Sequence, residues 1–303
     1  MAGGPLSSRD GGGDRARVKD YRSCGCILAA GVLWGLIGLF NRGLAADGLS
    51  AGSIVVVRNL GGLLVLGLVF LATDRSVFRI QWRHLPYFFG TGVVSVLLFT
   101  LCYFTCQQLC SLAAAAILLY TAPAFVVLLS ALLWRDPITR RKLGALGLAF
   151  LGCMCVSGVF SGGLSVTPLG LALGVGSGFF YGLYSIFGRY ALAHYQPATV
   201  TFYTFLFAGA GSLAVLRPWE LAAAFSHGDA LPLTAGLVVI ATVLPYLLYT
   251  RGLSRVDSGR AAILASVEPV AAALVGVAAF GEVMGPGVLL GLGCILISVY
   301  LLR

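Results

Sequence analysis

The sequence is poor in charge. Of its 303 residues only 10% are Asp, Glu, Lys or Arg, and only two are lysine, against roughly 25% charged in a soluble globular domain. So few charges cannot cover a water-facing surface, which excludes a soluble protein of one or two domains. Histidine is scarce as well: His84, His194 and His227 are the three, each in a loop or at a helix end. No H-E-x-x-H, G-x-S-x-G or phosphate loop occurs. A membrane-embedded enzyme therefore has almost no candidates for its chemistry, and we assign no catalytic residue, no metal and no cofactor. The start of the chain lacks the short apolar core and small-residue site of a cleaved signal peptide. Residues 1–22 are polar and rich in glycine and charge, so they are expected to form a disordered basic tail.

What is abundant is apolar sequence, 59% of the chain, gathered in runs. A spanning helix needs about 20 mostly apolar residues. Ten segments meet or approach that: 24–43, 51–73, 86–108, 111–134, 142–160, 168–192, 197–216, 231–250, 258–280 and 285–302. The expected fold is an all-α integral membrane protein of ten transmembrane helices joined by short loops. The eight cysteines all fall within or at the ends of these helices. Cys102, Cys106 and Cys110 recur every four residues and read as a packing stripe, with no histidine or carboxylate nearby to make a metal site.

The net charge of +9 is explained by topology. With a cytoplasmic N-terminus, seventeen of the 20 basic residues lie on one side, in the tail, the 74–84 and 135–142 loops and the Arg251–Arg260 region together with Arg189 and Arg303, whereas only Arg42 and Arg217 lie on the other. That is a strong positive-inside signal, placing both termini in the cytoplasm of a cell with the protein in its inner membrane. No nucleic-acid partner is required.

The chain repeats itself. Trp34-Gly35-Leu36-Ile37-Gly38-Leu39-Phe40-Asn41-Arg42 reads like Tyr181-Gly182-Leu183-Tyr184-Ser185-Ile186-Phe187-Gly188-Arg189, 147 residues on. Ala115 to Leu118 followed by Pro123 reads like Ala261 to Leu264 followed by Pro269, 146 residues on. Tyr103 and Tyr249 keep that second offset, as do Asp136 and Glu282. The repeats are expected to be 23–160 and 161–303. Five helices per repeat is an odd number, so the second enters the membrane from the opposite side. Its 281–286 loop carries no basic residue while the equivalent 135–142 loop is basic. This is the inverted-repeat plan of many secondary transporters, whose solute site lies near mid-membrane.

These residues resemble the EamA family of the drug/metabolite transporter superfamily over essentially 23–303: Trp34-Gly35, Arg58, the Ala-rich run to Pro123, Tyr181-Gly182, Glu268-Pro269-Val270 and Glu282. Asp136 stands where the family more often has Glu. The resemblance implies a carrier of amino acids and other small metabolites, most often an exporter.

Candidate cavity residues follow. Arg58 is the one basic residue deep in an apolar run; a charge there costs at least ~2.5 kcal/mol and needs a partner, either a solute carboxylate or a structural contact to helix-end carbonyls or Glu268. Glu268 is the one deep acidic residue; it can exchange a proton, attract an ammonium group or pair with arginine. Pro123 and Pro269 break the helical bonding of Leu119 and Ala265 and expose backbone acceptors. Trp34, Tyr103, Tyr120, Tyr181, Tyr184, Tyr203, Tyr246 and Tyr249 offer apolar faces with polar tips, and read equally as packing or interfacial residues. Gln107 and Gln108 sit near a helix end and read as loop-facing. Glycines at 170, 174, 178 and 182, matched by Gly31 and Gly35, read as close helix packing; Gly287 and Gly291 read as contact within the fold or in a homodimer. The expected partners are the lipid bilayer and a small-molecule solute. Sugar, nucleoside or drug transport remain open, and a channel is disfavoured by the inverted duplication.

Overall fold

The computed structural model describes residues 11–157, 166–225, 230–281 and 283–302. Of the expected tail, 1–10 lies outside the described residues, as does Glu282, and the first helix reaches back to Gly11. The first half comprises α1 (Gly11–Gly35), α2 (Ile37–Ala46), α3 (Ala51–Thr73), α4 (Leu85–Phe89), α5 (Leu98–Leu109), α6 (Leu112–Leu119), α7 (Ala122–Trp134) and α8 (Arg140–Val156). The second comprises α9 (Pro168–Leu192), α10 (Pro197–Ser212), α11 (Pro218–Phe225), α12 (Ala230–Val238), α13 (Leu244–Leu253), α14 (Ser258–Ala265), α15 (Glu268–Phe280) and α16 (Pro286–Leu301). No strand occurs among the described residues beyond an isolated bridge between Cys110 and Val166. Eight stretches are long and apolar enough to cross a membrane. Of the ten segments expected, α8 and α16, with 17 and 16 residues, are shorter than that length.

Local chemistry sets the ends. Ser111, Thr139, Thr167 and Asp257 accept hydrogen bonds from the backbone N–H three residues on, at 3.0–3.3 Å, satisfying donors that a helix start leaves open. Proline occupies the first turn of α9, α10 and α16, where its missing N–H costs nothing.

The duplication is visible in irregular backbone. One broken helix in each half, α6–α7 and α14–α15, is interrupted at Tyr120–Thr121 and Ser266–Val267, just before Pro123 and Pro269. A π-helical stretch interrupts each preceding helix, Gly90–Leu97 before α5 and Val239–Val243 before α13; such insertions are uncommon and concentrate at working sites. Both broken helices end on a left-handed residue, Arg135 (φ 55°) and Gly281 (φ 65°).

The halves interdigitate through glycine. A Cβ on Gly31 would lie 2.9 Å from the Ala265 carbonyl oxygen, and one on Gly35 2.9 Å from that of Glu268. A Cβ on Gly178 would lie 2.8 Å from the Leu118 carbonyl oxygen. Thus α1 presses on the break of the second half and α9 on the break of the first. At another edge α8 crosses α16, where a Cβ on Gly152 would meet the Gly291 carbonyl oxygen at 2.8 Å and one on Gly291 the Gly152 oxygen at 2.7 Å. The Gly291 contact is therefore within the fold.

Candidate solute cavity

A cavity of about 640 Å³ lies between the halves. Its wall is built from the end of α1 with α2, the start of α3, one face of α5, the end of α6 and the break after it, single residues of α9 and α13, and Glu268 and Ala272 of α15. Seven of the expected residues face it: Trp34, Arg58, Tyr103, Tyr120, Tyr181, Tyr246 and Glu268. Pro123, Tyr184 and Tyr249 line a separate void of about 30 Å³ on the far side of Trp34. Pro269 is buried and lines neither. Tyr203 sits away from both, its hydroxyl donating to the Phe78 carbonyl oxygen at 2.9 Å.

Trp34 forms the floor. It is buried and sits against Tyr181, Tyr246 and Tyr249, with ring centroids 6.4, 5.4 and 5.3 Å away. One aromatic of the first half thereby fills a cup made by three of the second. Its Nε1 has no hydrogen-bond partner.

The charges converge above this floor. Arg58 donates from Nε to the Thr242 hydroxyl at 3.1 Å, in the π-helical stretch, and its guanidinium carbon lies 5.9 Å from the Tyr246 ring centroid. That contact to Thr242 replaces the expected helix-end carbonyls. Glu268 opens α15, a position where the helix dipole favours an anion. It shares the cavity wall with Arg58, Tyr103, Tyr120, Tyr181 and Tyr246. Among the described residues no hydrogen bond or ion pair within 4 Å ties it to Arg58. A cation, an anion and several tyrosines thus face one space.

The sequence reading missed part of the wall. Gln107 faces the cavity, with Phe99, Thr100 and Phe104. Nearness to a helix end suggested a loop-facing amide, but Gln107 lies four residues after Tyr103, one turn along the same face. Asn41 also lines the cavity and its Oδ1 has no hydrogen-bond partner.

The opposite end is closed. Arg189 donates to Asp136 from both terminal guanidinium nitrogens and stacks 4.3 Å over Trp134. Lys142 Nζ lies 2.9 Å from Asp257. The Tyr195 hydroxyl meets His84 Nδ1 at 2.8 Å and accepts from the Gln81 backbone N–H at 2.9 Å, and His84 stacks on His194 at 4.4 Å. Hydrogen bonds from Ser76 and Gln196 hold the Asp74 carboxyl below its ordinary pKa. His227 lies outside the described residues. Deeper in, Tyr184 meets Thr250 and Tyr249 meets Ser185, each at 2.7 Å. On the cavity side a polar tie joins the halves near the surface: Glu220, paired with Arg217 just before its own helix, accepts from the hydroxyls of Ser50 and Ser53.

The cysteines are free thiols. Cys106 Sγ lies 3.2 Å from the Gly170 carbonyl oxygen, so the stripe packs on α9. Among the described residues no group of three or more His, Cys, Asp or Glu could hold a metal.

Comparison with known proteins gives a consistent picture. A family model described as "EamA-like transporter family" matches residues 22–158 and again 168–303. An uncharacterized transporter of Archaeoglobus fulgidus is 31% identical over 93% of this chain and 96% of its own. The threonine/homoserine exporter RhtA of Escherichia coli K12 is 28% identical over 81% of this chain and 79% of its own. A crystal structure of 18% identity superposes with a TM-score of 0.77 over 92% of this chain and 95% of that one, which shows a shared fold.

Proposed function

The chain belongs to the EamA-like transporter family, and from that premise we propose that it exports amino acids or closely related small metabolites across an inner membrane by alternating access. The reading rests chiefly on one observation: Arg58 and Glu268 face the same 640 Å³ cavity above an aromatic floor. A zwitterion carries one group for each charge, and tyrosines supply both apolar faces and hydroxyls. Likeness to a threonine/homoserine exporter supports the amino-acid class. Sugar, nucleoside and drug transport are the competing readings, with no charge pair to explain.

On this reading α8 and α16 are the fifth and tenth spans, and the second half is inverted with respect to the first. The positive-inside distribution puts both termini in the cytoplasm, so the cavity opens outward and the Asp136–Arg189 end closes the cytoplasmic side. Glu268 couples transport to protons by exchanging one when the cavity is wet. The test is flux of labelled threonine and a panel of amino acids, sugars and nucleosides into liposomes containing the purified chain. We expect saturable amino-acid flux. Flux of sugars alone moves the assignment to that class, and no flux of any solute defeats it.

A further inference from the structure

In each half a short surface segment follows the second long span, and the two segments are repeat mates. In the first half the segment is 74–84, and in the second it begins at Arg217. Each presents an exposed tryptophan, Trp82 at 84% and Trp219 at 68%. Each also uses an acidic residue, Asp74 or its mate Glu220, to grip the other half. In charge they part. The 74–84 segment carries Arg75, Arg79 and Arg83 against one aspartate, whereas the residues 146 further on are Leu221, Phe225 and Asp229. All three arginines are exposed, and among the described residues none of them is in an ion pair.

We propose that the 74–84 segment is a binding site for anionic phospholipid headgroups, with Trp82 seated at the interface of the same leaflet. Leu64, Leu68 and Leu71 follow one face of α3 and are 62%, 60% and 51% exposed; spacings of four and three residues keep them in line. On a helix that crosses the bilayer this stripe meets acyl chains. Arg75 continues it, four residues past Leu71, and donates from Nε to the Leu71 carbonyl oxygen at 3.1 Å. The cation therefore stands where hydrocarbon gives way to phosphate. Tryptophan favours that same level, and arginine meets phosphate with a planar fork of donors. On the topology proposed above the leaflet is the cytoplasmic one, whose negative surface potential attracts basic segments. Orientation at insertion asks only for basic residues somewhere in this loop. It does not ask for the tryptophan beside them or for a rigid frame beneath them.

That frame is supplied by the second half. Val77 is buried in the core, and Phe78 meets Phe202 with ring centroids 4.8 Å apart. The Phe78 carbonyl oxygen accepts from the Tyr203 hydroxyl at 2.9 Å, and the Gln81 N–H donates to the Tyr195 hydroxyl at 2.9 Å. Gln196 donates to Asp74 and to Ser76, each at 3.3 Å. These contacts fix the backbone on both sides of Arg79, so the arginines are presented without the ordering cost of a loose loop. Asp74 is occupied by the Ser76 N–H and by Gln196, which leaves the guanidinium groups to an outside anion.

The test places the purified full chain in phosphatidylcholine vesicles holding a minor fraction of a lipid brominated high on its acyl chain, which quenches tryptophan on contact. The share of quenching due to Trp82 is the difference between the parent and Trp82→Phe. Brominated phosphatidylglycerol should quench that share several-fold more than brominated phosphatidylcholine at the same fraction. Arg75→Gln, Arg79→Gln and Arg83→Gln combined should erase the preference. The same three positions changed to lysine should keep most of it, since the attraction is electrostatic. The share due to Trp219, taken from Trp219→Phe, should show no preference. As a second measure, phosphatidylglycerol added in detergent should raise the melting temperature of the parent more than that of the glutamine variant. Equal quenching of the Trp82 share by the two brominated lipids would overturn the site, and so would a preference that survives the glutamine changes. Neither result touches the transporter reading, which is judged by flux.

Discussion

The first half of the chain and the second share a backbone and differ in what they do with it. Both have a broken helix before a proline, a π-helical stretch, and a final left-handed residue. Both send a glycine-bearing helix against the other's break. The first half alone supplies the deep cation, Arg58, and the second alone the deep anion, Glu268. The irregular backbone recurs in both halves, which suits the alternating access proposed above, whereas the deep charges are divided one to each half.

The comparison breaks first if the paired contacts are not equivalent. Gly35→Ala and Gly178→Ala each force a methyl within 3 Å of a carbonyl oxygen across the halves. Each should cost about 1–3 kcal/mol, read as a lower melting temperature in detergent, whereas Gly147→Ala, with nothing within 4 Å, should leave it unchanged. A loss at Gly35 alone would mean that one break carries the fold.

The division of charge gives the next effect. Arg58→Ala and Glu268→Gln should each lower flux into liposomes at least tenfold, or about 1.4 kcal/mol, with Glu268→Gln also flattening any dependence on an imposed pH gradient. Thr204→Val and Ala122→Ser, at the mated positions, should stay within about twofold of the parent. Equal losses on both sides would show that the cavity uses its walls symmetrically.

The tie between α3 and α11 has its repeat mate at the closed end, where Gln196 donates to Asp74 at 3.3 Å, and the Glu220 side of the pair titrates furthest from its ordinary range. Hydrogen bonds from the Ser50 and Ser53 hydroxyls, with Arg217, hold the Glu220 pKa down to about 2, against roughly 4.3 in an unfolded chain. Because the folded value is the lower one, the contribution to stability is complete above about pH 4.3, shrinks as pH falls, and is gone below about 2. Melting temperatures of the parent and Glu220→Gln should differ at pH 7 and converge toward pH 2; a constant difference would remove Glu220 from this role.

The smallest effect concerns the two left-handed ends. Arg135 holds a conformation that glycine adopts freely, and its mate is already glycine. Arg135→Gly should raise stability by about 0.5–1 kcal/mol and Gly281→Arg should lower it by a similar amount, read as small opposite shifts in melting temperature.

Much of this arrangement was legible in the sequence because it is written in composition and repetition. Apolar runs located the eight stretches long enough to cross a membrane, Pro123 and Pro269 marked both breaks, and the 147- and 146-residue offsets paired the halves. Other features had no local sign. The π-helical stretches at Gly90–Leu97 and Val239–Val243 contain no proline and read as ordinary apolar helix. The partner of each glycine stripe lies in the other half, so a single helix carries no record of it. Gln107 reads as loop-facing from its nearness to a helix end, yet it lies one turn beyond Tyr103 on the face that lines the cavity. Tyr184 lies only three residues past Tyr181, yet it turns to Thr250, beneath the floor.

The brevity of α8 and α16 has a mechanical consequence. At 1.5 Å per residue, 17 and 16 residues make rods of about 24–26 Å, against a hydrocarbon layer of about 30 Å. With α8 and α16 as the fifth and tenth spans, as proposed above, lipid beside this edge has to pinch inward, and the strain bears on the two rods touching at Gly152 and Gly291. Acyl-chain length thereby becomes a load on the carrier, heaviest in the thickest bilayers and relieved in thin ones.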